Sequence, residues 1–242
     1  MPRIVREEEY AIRRNQILDT ALRLVYTKGY EQMTIQDILD NLQISKGAFY
    51  HYFNSKAAVL EALVERIVDE VEPLLLSIVQ DPHLSALEKF QRFFDTTARW
   101  KTDRKDLMLG LMRMWYADEN AIVRQKVFAS TLRRVTPLLA EITHQGVQEG
   151  VFTTSYPDAV CQMYFYFLQG LGEAFVELLL ADNDKLKSMQ QAALMVASYN
   201  EALERVLGAP RGSINLIDTE TLEAWFVRPE RPPAAQGEAL TS

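Results

Sequence analysis

Apolar residues recur at three- and four-residue steps along most of the chain, which is the spacing of amphipathic helices. The first stripe consists of Ile17, Ala21, Leu24 and Val25, and Gly29 follows where a helix stop is expected. Comparable stripes continue to about position 208. Helices are therefore expected to make up most of the chain.

Side chains that can cap helices precede the next apolar stripes. Thr34 followed by Asp37 is a capping-box pattern that predicts a short second helix. Ser45 is placed to cap a third helix, and Asn54 or Ser55 to cap a fourth. The first sixty residues thus predict three helices and the beginning of another.

Further helices are expected in the rest of the chain. Ser85 and Asp103 each begin a capping signature. Long helical stretches are expected at about 120–146, 160–181 and 183–208, and the end of the last is marked by a glycine and a nearby proline. Together these stretches predict a helical body much larger than the first three helices.

Prolines and glycines refine this picture. Pro73 is expected to kink or end the fourth helix, and Pro137 to interrupt the stretch at 120–146. The 242 residues include only 10 glycines, with no Asn-Gly, Asp-Gly or Gly-Gly pair to favour hairpins. We therefore predict an all-α fold.

The expected helices divide the chain into three parts. Residues 1–57 predict an N-terminal three-helix domain, with a helix-turn-helix motif at about 34–53. Residues 58–208 predict a larger helical domain. Residues 209–242 predict a tail that first docks through Leu222, Trp225 and Phe226, and then becomes disordered from about residue 229.

Charge is unevenly distributed along the chain. The net charge is −7, which argues against coating nucleic acid through general positive charge. Residues 1–60 nevertheless carry a net +1, and the stretch 41–60 lacks acidic residues while it keeps Lys46 and Lys56. An acid-free surface on an acidic body suits local contact with phosphate, which repels carboxylates.

The segment 34–56 reads TIQDILDNLQISKGAFYHYFNSK and is the most informative part of the chain. Small residues at the start of the expected third helix let its backbone approach a DNA groove closely. Lys46, Tyr50 and His51 can reach phosphates and base edges. Phe49 and Phe53 are expected to point inward and hold this helix.

In these residues the chain resembles the TetR family of bacterial regulators, from about 17 to 63, with SKGAFYHYFNSK as the most specific part. The resemblance implies an N-terminal helix-turn-helix DNA-binding domain, a helical ligand-binding and dimerisation domain, and 45–51 as the recognition helix. It also implies a dimeric, ligand-responsive regulator, most often a repressor, that binds a palindromic double-stranded operator. The residues implied in DNA contact are Thr34, Gln36, Ser45, Lys46, Gly47, Tyr50, His51 and Lys56.

Two residues depart from the family pattern. Gln43 occupies a turn position where relatives usually carry glycine, and Leu39 replaces an alanine. If the turn residue adopts a positive φ, glutamine costs about 1 kcal/mol relative to glycine. The alternative to DNA binding is a helical protein–protein interaction module whose first three helices dock a partner. Arg13 and Arg14 are compatible with a minor-groove arm or with a solvated N-terminus.

A Met- and Trp-rich group in the body is compatible with two roles. Such side chains suit an adaptable pocket for a small apolar or aromatic effector, and they equally suit a packed core. The candidate effector-binding residues are Phe94, Trp100, Met108, Met112, Trp115 and Tyr164.

The last two long helices are the candidate homodimer interface. Met189, Ala193, Val196, Leu203 and Leu207 form a row in the final one, with packing inside the chain as the alternative. Asn200 lies in the same row, where it either fixes the register of a buried interface or faces water.

Other function classes find little support. The three histidines are scattered, no catalytic or metal-binding motif is recognisable, and neither a cofactor nor a metal is expected. Cys161 is the only cysteine, so an intramolecular disulfide is excluded. We interpret Cys161 as a small buried residue in preference to a reactive thiol. The apolar stretch at 160–181 is interrupted by polar residues, so a cytoplasmic protein without a membrane span is expected.

Overall fold

The computed structural model describes residues 2–116, 120–181 and 184–227, and every regular element in these ranges is an α-helix. In chain order the helices are α1 Pro2–Lys28, α2 Ile35–Leu42, α3 Lys46–Tyr50, α4 Lys56–Val79, α5 Ala86–Asp103, α6 Lys105–Trp115, α7 Ala121–Gln148, α8 Pro157–Leu180, α9 Lys185–Leu207 and α10 Thr219–Phe226. The all-α class is therefore confirmed.

The expected caps hold the first helices in place. Thr34 accepts a hydrogen bond from the Asp37 N–H, while the Asp37 carboxylate accepts one from the Thr34 N–H at 2.6 Å. Ser45 accepts from the Ala48 N–H, and Ser55 caps α4 in the same way. These local bonds satisfy backbone donors that the first turn of a helix leaves unpaired.

Three expectations about the helices of the body are wrong, namely that Pro73 ends the fourth helix, that Pro137 interrupts the stretch at 120–146, and that Asp103 caps α6; a kink at Pro73 stays a prediction. Pro73 and Pro137 lie inside the continuous helices α4 and α7. Each proline removes one backbone hydrogen bond, and buried side chains lie on both sides of it in each helix. Asp103 is the last residue of α5, and only Arg104 separates it from α6, so it does not cap α6 as expected.

The interior contains two apolar clusters. The first joins α1–α3 and the start of α4 to buried residues of each of the helices α5–α10. The second joins the end of α4 to α5, α7, α8 and α9. Helix α4 contributes to both and runs unbroken across the boundary expected at residue 57. It therefore connects the N-terminal helices to the body.

The buried residue Cys161 lies in the second cluster. Its thiol donates to Thr143 Oγ1 at 3.4 Å and accepts from the Tyr164 hydroxyl at 3.3 Å. Burial raises the pKa of the Cys161 thiol and reduces its reactivity. The structure agrees with the interpretation of Cys161 as a small buried residue.

The C-terminal segment docks as expected. Leu222, Trp225 and Phe226 are buried on one face of α10. The predicted disordered end from residue 229 lies outside the described residues. Within the described ranges, no helix has the length and apolarity needed to cross a membrane.

Candidate nucleic-acid interface

Helices α2 and α3 are joined by a three-residue turn that contains a left-handed residue. Gln43 has φ 52° and ψ 44°, and its side-chain amide donates to the Asp40 carbonyl at 2.6 Å. The following Ile44 N–H donates to the Leu39 carbonyl at 3.1 Å. Glutamine therefore occupies this strained position with a side-chain contact that glycine cannot make, and Leu39 is buried in the angle between the helices.

The inner side of the turn and of α3 is anchored by two aromatic rings. Phe49 is fully buried and Phe53 is 4% exposed, with their ring centroids 6.1 Å apart. The Arg14 guanidinium lies 5.2 Å from the Phe53 centroid. Arg13 and Arg14 belong to the continuous helix α1, and a minor-groove contact by them stays a prediction.

The outer side of α3 is open to solvent. Tyr50 is 45% exposed, and Lys46 and His51 are also exposed. The Lys46 ammonium lies 6.0 Å from the centre of the Tyr50 ring. A Cβ added at Gly47 would meet only Ser45 Oγ, at 3.9 Å, so nothing inside the protein requires glycine there. A small residue at this position instead leaves room for close approach from outside.

The residues expected at the start of α2 already have partners inside the protein. The Thr34 hydroxyl donates to Asp37 at 2.6 Å, and the Gln36 amide donates to Asp40 at 2.7 Å. Asp37 also pairs with Lys28 at 2.5 Å. Hydrogen bonds from Lys28 and Thr34 lower the pKa of Asp37 to about 2, so this carboxylate remains charged at neutral pH.

Lys56 is held at the first residue of α4 by the loop that follows α1. Its ammonium lies 4.0 Å from the centre of the buried Tyr30 ring and donates to the Glu31 carbonyl at 3.3 Å. This arrangement restrains a positive charge at a helix N-terminus, a place suited to phosphate. The sequence motif identified Lys56 but gave no sign of Tyr30.

Tyr10 is a second residue that sequence reasoning missed. Its ring packs edge-on against His51 at 5.6 Å and tilts over Tyr52 at 4.7 Å, measured between centroids. Helix α1 extends far enough toward its N-terminus to bring Tyr10 beside the end of α3. The length of α1 was the available signal, because the helical pattern was traced only from Ile17.

The six candidate effector residues do not form one group. Phe94 and Tyr164 belong to the second apolar cluster, and the Tyr164 hydroxyl is already bonded to Cys161. The other four belong to the first cluster, on α5 and α6: Trp100, Met108, Met112 and Trp115. The Arg104 guanidinium covers the Trp100 ring at 4.3 Å.

The apolar row expected to form the dimer interface faces inward for the most part. Val196, Leu203 and Leu207 are buried within the chain. Asn200 is partly buried, and its Oδ1 accepts a hydrogen bond from the Leu216 N–H at 3.1 Å, so part of its hydrogen-bonding capacity is used within the chain. The large apolar residues of α9 that are exposed are Leu186, which continues the row at helical spacing, and Leu194, which lies on another face.

Two family models match the chain. One, described as bacterial regulatory proteins of the tetR family, matches residues 17–63, which contain the whole helix-turn-helix. The other, described as a tetracyclin repressor-like C-terminal domain, matches residues 112–177. The two matches therefore fall on both parts of the chain.

Curated relatives include two regulators with the same type of motif. An uncharacterised HTH-type transcriptional regulator of Bacillus subtilis, YuxN, is 25% identical over 191 residues, covering 78% of this chain and 62% of its own length. The HTH-type transcriptional regulator EthR of Mycolicibacterium smegmatis is 30% identical over 124 residues, covering 44% and 57%. The chain thus matches less than two thirds of the length of either relative.

Solved structures show the same fold. A TetR-family transcriptional regulator from Pectobacterium atrosepticum superposes with a TM-score of 0.62 at 19% identity, over 84% of this chain and 98% of its own. A transcriptional regulator from Cytophaga hutchinsonii gives a TM-score of 0.60 at 16% identity, over 79% and 96%. The arrangement of the helices is therefore shared at low sequence identity.

Proposed function

Because this chain belongs to the tetR family of bacterial regulatory proteins, we propose that it is a repressor that binds a palindromic operator as a homodimer and is released by a small, mostly apolar inducer. The observation that carries this proposal is the orientation of α3. Phe49 in α3 and Phe53 just after it are buried, while Lys46 and Tyr50 in α3 and its C-cap His51 face outward.

The chemistry of the outer side of α3 suits a DNA groove. Lys46 supplies a charge for phosphate, and Tyr50 and His51 supply hydrogen-bonding groups and rings for base edges. The stretch 41–60 contains no carboxylate, so the recognition helix itself does not repel the DNA backbone. The proposed contacts are Thr34, Gln36, Ser45, Lys46, Gly47, Tyr50, His51 and Lys56.

Exposed apolar side chains on α8 and α9 support the proposed dimer. Met163 and Tyr166 on α8 are 48% and 56% exposed, and Leu194 on α9 is 75% exposed. The two helices pack against each other, so the same pair from a second copy can complete a four-helix interface. Burying these side chains against a second copy would remove apolar area from water.

For the inducer we propose the α5–α6 group of Trp100, Met108, Met112 and Trp115. These side chains adapt to flat apolar molecules, and α6 packs directly on α1 of the DNA-binding domain. A ligand that moves α6 therefore affects the position of the DNA-binding helices through the packing of α6 on α1. Coupling of this kind needs only about 1–3 kcal/mol of differential affinity.

Helix α4 is the proposed mechanical link between the two parts. Arg66 pairs with Asp19 of α1 at 2.6 Å. Asp69, one helical turn later, pairs with Arg134 of α7 at 2.8 Å. Arg134 also donates hydrogen bonds from Nε and Nη2 to the Glu72 carboxylate. Adjacent ion pairs thus attach α4 to the DNA-binding domain on one side and to the body on the other.

A gel shift tests the DNA-binding part of this proposal. The probe is the intergenic DNA that flanks the coding sequence, and the variants are Tyr50→Ala and Lys46→Gln. Lys126→Gln, an exposed lysine on α7, is the control with the same change in charge. We expect the first two variants to lose affinity and the control to keep it. Equal binding by all variants would favour the alternative, a protein–protein interaction module.

A further inference from the structure

The segment that follows α9 is tied to the body along its length. It lies beyond both matched regions and places Ile214 and Leu216 in the second cluster before α10 begins. The Ile214 N–H donates to the buried Glu204 carboxylate at 3.1 Å. A buried carboxylate requires a donor, so Glu204 fixes this segment to α9.

The same segment is also bonded to α5. The Gln91 amide donates to the Asn215 carbonyl at 2.8 Å, and the Asn215 N–H donates back to Gln91 Oε1 at 3.2 Å. The next residue, Leu216, donates its N–H to Asn200 on α9. Side chains of two helices therefore pair with three successive residues of the segment.

Helix α10 continues these contacts to the junction of α5 and α6. The Trp225 indole N–H donates to Thr102 Oγ1 at 2.9 Å, in the last turn of α5. The Lys105 ammonium donates to the Ala224 carbonyl at 2.8 Å. Rings of Trp225 and Phe226 pack on Phe175 of α8, with centroids 6.2 and 5.1 Å away.

Lys105 is the first residue of α6, so its positive charge lies at the N-terminus of its own helix. The helix dipole disfavours a positive charge at a helix N-terminus and favours one at a C-terminus. The Lys105 ammonium reaches the last turn of α10, whose C-terminal carbonyls attract it. This contact joins α10 directly to the beginning of α6.

We propose that residues 214–226 form a clasp that sets the position of α6. The clasp connects α9, the proposed dimer helix, with α6, which packs on α1 and carries Met108, Met112 and Trp115. With the clasp closed, α6 is held in the arrangement that binds DNA. Opening of the clasp frees α6 and weakens DNA binding. The regulatory meaning of the clasp rests on the proposed function.

Three variants of the full chain test the clasp. Trp225→Phe keeps an aromatic ring and removes the bond to Thr102, and Lys105→Met keeps most of the stem and removes the bond to Ala224. Glu223→Gln, exposed on the same helix, is the control. Hydrogen exchange is measured on the amides of α6, α10 and α3, and DNA affinity is measured with duplexes that the unaltered protein selects from a random-sequence pool.

For both clasp variants we expect exchange in α6 to rise about threefold to tenfold, the usual effect of one lost hydrogen bond. DNA affinity should fall by a similar or smaller factor. Exchange in α3 should not change, and the control variant should match the unaltered protein in exchange and in DNA affinity.

Faster exchange in α10 with unchanged exchange in α6 would overturn the clasp. Faster exchange in α6 with unchanged DNA affinity would reduce it to a structural contact and overturn its regulatory role. Failure of the unaltered protein to select any duplex would refute the proposed function instead, and the exchange data would still decide whether α10 holds α6.

Discussion

The ammonium of Lys56 lies 4.0 Å from the centre of the buried Tyr30 ring, so a residue of the loop after α1 holds the charge at the start of α4. A cation held over an aromatic face gains about 0.5–1 kcal/mol at an exposed site. The ring thus keeps the Lys56 charge beside the α4 N-terminus.

Replacement of Tyr30 should act on DNA binding through Lys56. We expect Tyr30→Leu to weaken binding about twofold to fivefold, the equivalent of that energy. Tyr30→Phe keeps the aromatic face and should bind nearly as well as the unaltered protein. Affinities measured at fixed salt by fluorescence anisotropy give the comparison.

A double variant separates this effect from a general loss of stability. In a Lys56→Gln background, Tyr30→Leu should not weaken DNA binding further, because the charge it positions is absent. Lys56→Gln alone should make the slope of log affinity against log salt shallower by about 1, as expected for the loss of one phosphate contact. An equal loss of affinity from Tyr30→Leu in both backgrounds would show that Tyr30 acts independently of Lys56.

The proposed dimer predicts a clear effect of charge on α9. Leu194→Glu should convert a dimer of twice the 27.7 kDa chain mass into a monomer, because a carboxylate would be buried without a partner. Ile122→Glu changes a residue of similar exposure, 71% against 75%, on α7 and should leave the dimer intact. Light scattering after size-exclusion chromatography measures the mass. A monomeric parent, or a dimeric Leu194→Glu variant, would contradict the interface.

Glycine at position 43 should stabilise the turn before α3. Gln43 has φ 52°, so Gln43→Gly is expected to raise the free energy of unfolding by about 0.5–1 kcal/mol. Gly29→Ala is the reverse control, since Gly29 has φ 81° and no atom within 4 Å of an added Cβ. It should lower stability by a similar amount. Urea denaturation measures both, and a less stable Gln43→Gly would show that the bond to the Asp40 carbonyl outweighs the backbone strain.

Asp37 predicts a particular loss of stability in acid. Its pKa is about 2 in the folded protein and near 3.8 when unpaired, so its contribution is fully present above pH 3.8 and disappears as the pH falls through 2. The difference in unfolding free energy between the parent and Asp37→Asn should therefore shrink between about pH 4 and pH 2. A difference that does not change over this range would contradict the role assigned to the Lys28 and Thr34 contacts.

Local features of the fold were predictable from sequence, because local chemistry determines them. The caps at Thr34, Ser45 and Ser55 and the left-handed turn at Gln43 depend on residues within a few positions of each other. The burial of Phe49 and Phe53 follows from helical spacing in the same way, whereas the DNA contacts of the outer residues stay a prediction.

Features that depend on packing at a distance were missed or wrong. Pro73 was expected to kink or end α4, and the helix does not end there but continues with buried residues on both sides of the proline. Asn200 and Tyr30 pair with segments that no sequence pattern connects to them. The division of the candidate effector residues between two clusters likewise depends on how α5, α6 and α8 pack, which spacing along one helix does not reveal.

Selection of duplexes from a random-sequence pool tests most directly whether α3 reads DNA. The unaltered protein should enrich an inverted repeat whose half-site centres are about 34–36 Å apart or modestly farther, as expected for two recognition helices related by a two-fold axis. Tyr50→Ala should enrich the repeat weakly or not at all. Enrichment of no inverted repeat, or recovery of the same repeat with equal affinity by Tyr50→Ala, would contradict the assignment of α3 as the recognition helix.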